Sequence, residues 1–346
     1  MTGKRISDFG IRVGSCERGP GNRITDVPGV RVGHATVLDE RHRTGVTAII
    51  PCADNPFVNK LVAAAYVLNG FGKTLGTVQV DELGTLETPI LLTNTLNVGK
   101  AADALVAYMA ERCEREHVAL RSVNPVVGET NDSRLNAILD RAVTEEHVRA
   151  ALESASEDFA EGDVGAGAGT VCHGLKGGIG TASRVIRIAG QAYTLGVLVQ
   201  SNHGCLEELT VCGRRIGQEI LEKRQQESQR SDDQGSIMMV VATDLPVSDR
   251  QLRRILKRCA VGLARCGSYY GHGSGDVMLG FTTANRMPSG GMDRVIEHRV
   301  VTEQTLEKAF FAVAEATEEA VLNSLTAASA VTVPDGTVYE SLADWL

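Results

Sequence analysis

Ser274 lies in the stretch Gly271-His272-Gly273-Ser274-Gly275-Asp276, directly ahead of the apolar run Val277 to Phe281. A turn of small residues running into a buried strand leaves a hydroxyl at the junction, and glycines on both sides free the backbone there. That suits a nucleophile. Taken alone, the stretch reads as a plain tight turn first and as a nucleophile second. A serine hydroxyl also needs a base, and the eight histidines show no spacing that resembles a triad. Two other residues stand where a buried strand ends. Asn202, past the run Tyr193 to Gln200, either donates to a developing oxyanion or hydrogen-bonds its own turn. Glu129, past Val126-Val127-Gly128, either holds a substrate ammonium group or is a solvated turn carboxylate.

The elements that must position these residues alternate between strand and helix. Strands are expected over Val30 to His34, Gly45 to Ile50, Pro89 to Thr93, Ile237 to Thr243 and Val277 to Thr283. Arg184 to Ile188 and Tyr193 to Gln200 form a hairpin about Ala189-Gly190-Gln191. Helices are expected over Asn59 to Leu68, Gly99 to Glu116, Thr144 to Ala155, Asp249 to Arg265 and Glu303 to Ala328, from apolar residues at helical spacing and from end signals. Asn69-Gly70 would close the first of these, and Ser248 with Gln251 would cap the fourth. Glu222 to Ser236 is the most polar run and reads as an exposed loop. His34, among small apolar residues, reads as a satisfied core or turn histidine.

Composition excludes several classes. The 346-residue chain has 43% apolar residues, enough for a large core, and a net charge of −8, which argues against a nucleic-acid surface. The N-terminus lacks the apolar core of a signal peptide, and no apolar run is long enough to span a bilayer. A cytoplasmic, soluble protein with no membrane partner is the expectation. The eight cysteines include no Cys-x-x-Cys pair, so free thiols are expected, with no metal and no cofactor. The glycine-rich run Gly162 to Thr170 and Lys176-Gly177-Gly178-Ile179-Gly180 lack the order of a phosphate-binding loop, since Gly178 and Gly180 follow the lysine.

The Gly-Ser-Gly-Asp context resembles the L-aminopeptidase D-Ala-esterase/amidase family, the self-cleaving N-terminal-nucleophile serine peptidases of family S58 that include the β-aminopeptidases. Matching blocks run in order from Ile24-Thr25-Asp26-Val27-Pro28-Gly29-Val30 to Ala316-Thr317-Glu318-Glu319-Ala320 and cover nearly the whole chain. The resemblance implies one αββα sandwich domain over residues 1–346, mixed α/β, with two sheets between helix layers. It implies cleavage between Gly273 and Ser274 into fragments 1–273 and 274–346. Cleavage would turn the non-basic Ser274 amide nitrogen into a primary amine of pKa about 7.7–8.0, a base carried by the nucleophile itself. His272 would depart with the other fragment.

By the same resemblance Asn202 would hold the oxyanion, Glu129 the substrate amine, and Thr317 with Glu319 the Ser274 amine. Blocks Asn69 to Lys73 and Glu82 to Pro89 would line the entrance, and the glycine-rich runs would serve close backbone packing. Substrates would be small peptides, amides or esters with a free amine, and the chain a homo-oligomer. Some members carry a tyrosine in the block Asn131-Asp132-Ser133-Arg134; this chain has none there, which puts a second oxyanion donor in doubt. Two rivals stand beside this reading: an acyl transferase like the ornithine acetyltransferases, which use threonine, and an unprocessed binding protein of the same fold.

Overall fold

Continuous runs of β-branched and small apolar residues build most of the sheet structure, because the central strands are buried on both faces. In the computed structural model, which describes residues 3–225, 235–290, 293 and 295–346, the elements in chain order are β1 (Arg31–Leu38), β2 (Arg43–Ile50), β3 (Asn59–Gly70), α1 (Thr77–Leu83), β4 (Thr85–Leu86), β5 (Ile90–Asn94), α2 (Val98–Arg115), β6 (Val126–Thr130), α3 (Glu145–Glu153), β7 (Val171–Cys172), β8 (Leu175–Lys176), β9 (Ile179–Ile188), β10 (Gln191–Asn202), α4 (Ile216–Lys223), β11 (Ser236–Thr243), α5 (Asp249–Leu256), α6 (Cys259–Arg265), β12 (Gly275–Pro288) and α7 (Leu306–Thr326).

One sheet has the order β1-β2-β5-β6 and the other β4-β3-β12-β11-β10-β9. Three cores hold the layers together. Between the sheets, Ile49, Ile90 and Leu92 meet Leu198, Val240 and Phe281. Outside the four-stranded sheet, Leu105 and Met109 of α2 and Val148 of α3 pack on Ala48 and Leu91. Outside the six-stranded sheet, helices α4 to α7 cover Val197, Met239 and Met278. This is the αββα sandwich expected from the sequence.

Two expectations fail. Asn59 to Leu68 is strand β3, not a helix; it lies between β4 and β12, and that pairing on both sides overrides the helical look of its alanine run. Asn69-Gly70 therefore ends a strand. The helix expected over Asp249 to Arg265 is two helices, α5 and α6, with Lys257 and Arg258 between them. Ser248 does cap α5: its Oγ accepts from the Gln251 amide at 3.2 Å, and Gln251 accepts from the Ser248 amide at 3.3 Å. The hairpin turn is Ala189-Gly190, both at positive φ (48° and 83°), as a two-residue turn between twisted strands requires. Of the polar run Glu222 to Ser236, Glu222 and Lys223 close α4, Ser236 opens β11, and residues 226–234 lie outside the described residues.

The glycine-rich blocks allow close backbone approach. A Cβ on Gly180 would sit 2.0 Å from the Ala320 carbonyl of α7, and one on Gly178 would sit 2.4 Å from the Gly162 carbonyl. Lys176 is wholly buried and donates to the carbonyls of Gly167, Thr170 and Gly177 at 3.0, 3.0 and 2.6 Å. It ties loops together; burial, its main influence, lowers its pKa to about 7. His34 is satisfied by Thr47 at 2.9 Å and by the Ala160 carbonyl at 3.1 Å.

Gly180→Ala should push α7 off β9 and lower stability by about 1–3 kcal/mol, read by denaturant unfolding. Burial, partly opposed by the Ala160 bond, pulls the His34 pKa from 6.5 down to about 4. A depressed folded-state pKa means that His34 contributes its stability above pH 6.5 and loses it as pH falls from about 6.5 towards 4. The melting temperature of His34→Gln should therefore fall less than that of wild type between pH 7 and pH 5.

Candidate active site

The site forms where the central strands of the larger sheet begin or end together. β11 and β12 run parallel, with Ser236 opposite Gly275, and β10 runs antiparallel to β11, with Asn202 opposite Ser236. Asn202 and the head of β12 are thus two strands apart, about 10 Å between backbones. On the other flank, β3 places Asn69 opposite Asp276 and Gly70 opposite Gly275, with a bulge between Asp276 and Val277.

Ser274 is fully buried at this edge. Its amide donates to the Gly271 carbonyl at 2.9 Å, closing a four-residue β-turn over Gly271 to Ser274. The Gly273–Ser274 bond is the last link of that turn. Gly275 is needed for close approach rather than for positive φ: a Cβ there would lie 2.8 Å from the Phe71 carbonyl. The Ser274 hydroxyl donates to Asp276 Oδ1 at 2.8 Å. Residues i and i+2 of a strand share a face, so this contact could have been anticipated from spacing.

Asn69, expected at a helix end and in an entrance block, has a further role that sequence reasoning missed. Its side-chain NH2 donates to the Gly271 carbonyl at 3.0 Å, the His272 carbonyl at 3.2 Å and the Ser274 carbonyl. One amide thereby clamps the whole turn. Reading Asn69 as a helix terminus concealed this.

A cavity of about 620 Å³ opens over the turn; Gly273, Asn202, Phe71, Asn131, Arg134 and Tyr269 are among its lining. The Asn202 amide is oriented by two backbone bonds: its Oδ1 accepts from Val171 N at 2.9 Å and its NH2 donates to the Asn131 carbonyl at 2.9 Å. Ser133 and Arg134 line the cavity in the block that lacks the tyrosine. Glu129 is buried at the end of β6, accepting from the Lys73 amide at 2.8 Å and from the Thr95 hydroxyl. A Cβ on Gly72 would meet Glu129 Oε1 at 3.5 Å and Gly275 Cα at 3.8 Å, so the carboxylate lies just across Gly72 from the head of β12. His272 also lines the cavity, against Phe71. Of the expected entrance blocks, Phe71 does line it, while Glu87 lies elsewhere, paired with Lys60 at 2.6 Å.

Thr317 and Glu319 find other partners. Thr317 Oγ donates to the Val313 carbonyl at 2.8 Å within α7. Glu319 pairs with Arg18 at 2.7 Å and Arg184 at 2.8 Å and accepts from Asn22 at 2.9 Å. Among the described residues neither hydrogen-bonds Ser274 in the uncut chain.

All eight cysteines are without disulfides. Cys172, His173 and His203 come together although distant in sequence, their ligand atoms within 4.8 Å of one another. Cys172 Sγ lies 3.7 Å from His203 Nδ1, and His173 Nδ1 lies 2.9 Å from the Cys205 carbonyl. No helix among the described residues is long and apolar enough to cross a membrane.

A four-layer sandwich with a serine buried at the head of a central strand defines an N-terminal-nucleophile-type hydrolase. Comparison with known proteins agrees. The sequence profile of peptidase family S58 matches residues 22–339. The chain is 38% identical to the β-peptidyl aminopeptidase BapA of Sphingosinicella xenopeptidilytica, over 96% of this chain and 87% of that protein. It superposes on the PH0078 protein of Pyrococcus horikoshii OT3 with a TM-score of 0.91 and 44% identity, covering 98% of this chain and 96% of that one. It also superposes on the L-aminopeptidase D-Ala-esterase/amidase of Ochrobactrum anthropi, described as a prototype of the serine aminopeptidases and a variant of the Ntn hydrolase fold, with a TM-score of 0.89 and 35% identity over 97% and 95% of the two chains. The chain belongs to peptidase family S58. It is a hydrolase, an aminopeptidase or amidase of the serine type.

In a chain kept whole by Ser274→Ala, adding Asn69→Ala should free the turn. Hydrogen exchange of peptides spanning 266–276 should then quicken by at least about tenfold, the worth of one lost hydrogen bond; unchanged exchange would show that the clamp holds nothing.

Proposed function

We propose that the chain cuts its own Gly273–Ser274 bond and that the freed Ser274 removes N-terminal residues from small peptides, amides or esters. The observation that carries this reading is the buried Ser274 at the head of β12, with Gly273 and the oriented Asn202 amide on one cavity. In the cut enzyme the Ser274 amine takes the proton of its own hydroxyl as Oγ attacks the substrate carbonyl. Asn202 donates to the oxyanion, and Glu129, across Gly72, receives the substrate's ammonium group. A carboxylate there suits substrates with a free amine, the β-amino acids of the β-peptidyl relatives and D-alanine derivatives included. Glu319 is assigned the fixing of α7, through its contacts with Arg18, Arg184 and Asn22, and Thr317 a bond within that helix, rather than contact with the Ser274 amine. The working form is a homo-oligomer of cut chains.

Intact mass under denaturing conditions tests the core of this. Wild type should give two fragments, 1–273 and 274–346, and Ser274→Ala a single chain. Asn202→Ala should lower kcat on an aminoacyl p-nitroanilide by about 10²–10³-fold, the usual worth of one oxyanion donor. A wild-type chain that stays whole after long incubation would sink the reading and leave a binding protein of this fold.

A further inference from the structure

The amine that serves the mature enzyme does not exist before the cut, since the Ser274 nitrogen is then an amide that donates to Gly271. The first turnover therefore needs another base. We infer that Asp276 is the catalytic base of self-cleavage, a role that rests on the self-processing reading above. Its Oδ1 is 2.8 Å from the Ser274 hydroxyl, and both residues are fully buried. Gly275 between them presents no side chain, and Asn69, in register with Asp276, holds the carbonyls of the turn. The carboxylate also acts on its surroundings: after burial itself, Asp276 is what pushes the Tyr270 phenol up.

The step balances within the chain. The Ser274 hydroxyl proton passes to Asp276 as Oγ bonds to the Gly273 carbonyl carbon. The tetrahedral oxyanion collapses, the C–N bond breaks, and Asp276 returns the proton to the departing Ser274 nitrogen. Water then hydrolyses the Gly273 ester, leaving a Gly273 carboxylate, the Ser274 hydroxyl and a free amine. Two bases thus serve two reactions of one hydroxyl: Asp276 once, the amine thereafter.

The test follows the intact mass of freshly purified wild type, Asp276→Asn and Asp276→Ala with time, with Ser274→Ala as the uncut reference for melting temperature. Wild type should be cut, and Asp276→Asn should be cut at least about 100-fold more slowly while melting within a few degrees of the reference, as loss of a general base predicts. Added formate should restore cleavage to Asp276→Ala by supplying a small carboxylate. Asp276→Asn cut at the wild-type rate would overturn the assignment. So would failure of formate across its titration, which would attribute the loss to packing. An uncut wild type would instead reject the self-processing reading itself.

Discussion

The structure depends on the two-sided pairing of β12. This strand lies between β3 and β11, and both neighbours come from the chain before Ser274. Its ladder to β11 is parallel and unbroken from Gly275 to Thr282, and Val277, Leu279 and Phe281 fill the layer between the sheets. Parallel strands of this kind are buried on both faces. Breaking the backbone ahead of Gly275 would remove none of these interactions, so the fold can survive a cut at its centre and expose a new chain end inside an existing site.

The rest of the C-terminal part is gripped in the same way. Glu315 of α7 accepts from the amides of Ser15 and Cys16 at 2.8 and 2.9 Å and pairs with the buried Arg184 at 3.2 Å. Burial pushes its carboxyl up, yet these amides and the guanidinium outweigh burial and hold it below its ordinary value. Asn323 accepts from the Ile6 amide and donates to the Thr181 carbonyl, each at 2.9 Å. Such buried polar groups are costly unless every partner is present. They therefore hold α7 in one seat against β9, where Gly180 lets the backbones touch. Glu319 belongs to this network, its carboxylate held by Arg18, Arg184 and Asn22.

Around the turn, local chemistry is arranged before any cut occurs. Asn69 aligns the carbonyls, Asp276 accepts the hydroxyl, and Asn202 is oriented by Val171 and Asn131. Asn69 and Asn202 are fixed by backbone groups rather than by mobile side chains, which limits the reorganisation that a reaction would need. Glu129 is likewise fixed by an amide and a hydroxyl, with only Gly72 between it and the head of β12.

Much of this was legible in the sequence. The strands of the hairpin, β11, β12, and helices α2, α3 and α7 follow from periodicity and end signals. Ser274, Gly273, Asn202 and Glu129 follow from strand-to-turn junctions once the whole pattern of blocks is recognised. What tertiary structure alone decided is of two kinds. Pairing on both sides makes a strand of Asn59 to Gly70, because a ladder on two edges outweighs an alanine-rich run's helical tendency. Long-range approach decides which polar atoms meet: Asn69 reaches a turn some 200 positions later, and Glu319 reaches Arg18 and Arg184 instead of the serine 45 positions before it. Spacing along the chain reports faces and junctions, whereas contacts between distant elements depend on how the layers stack.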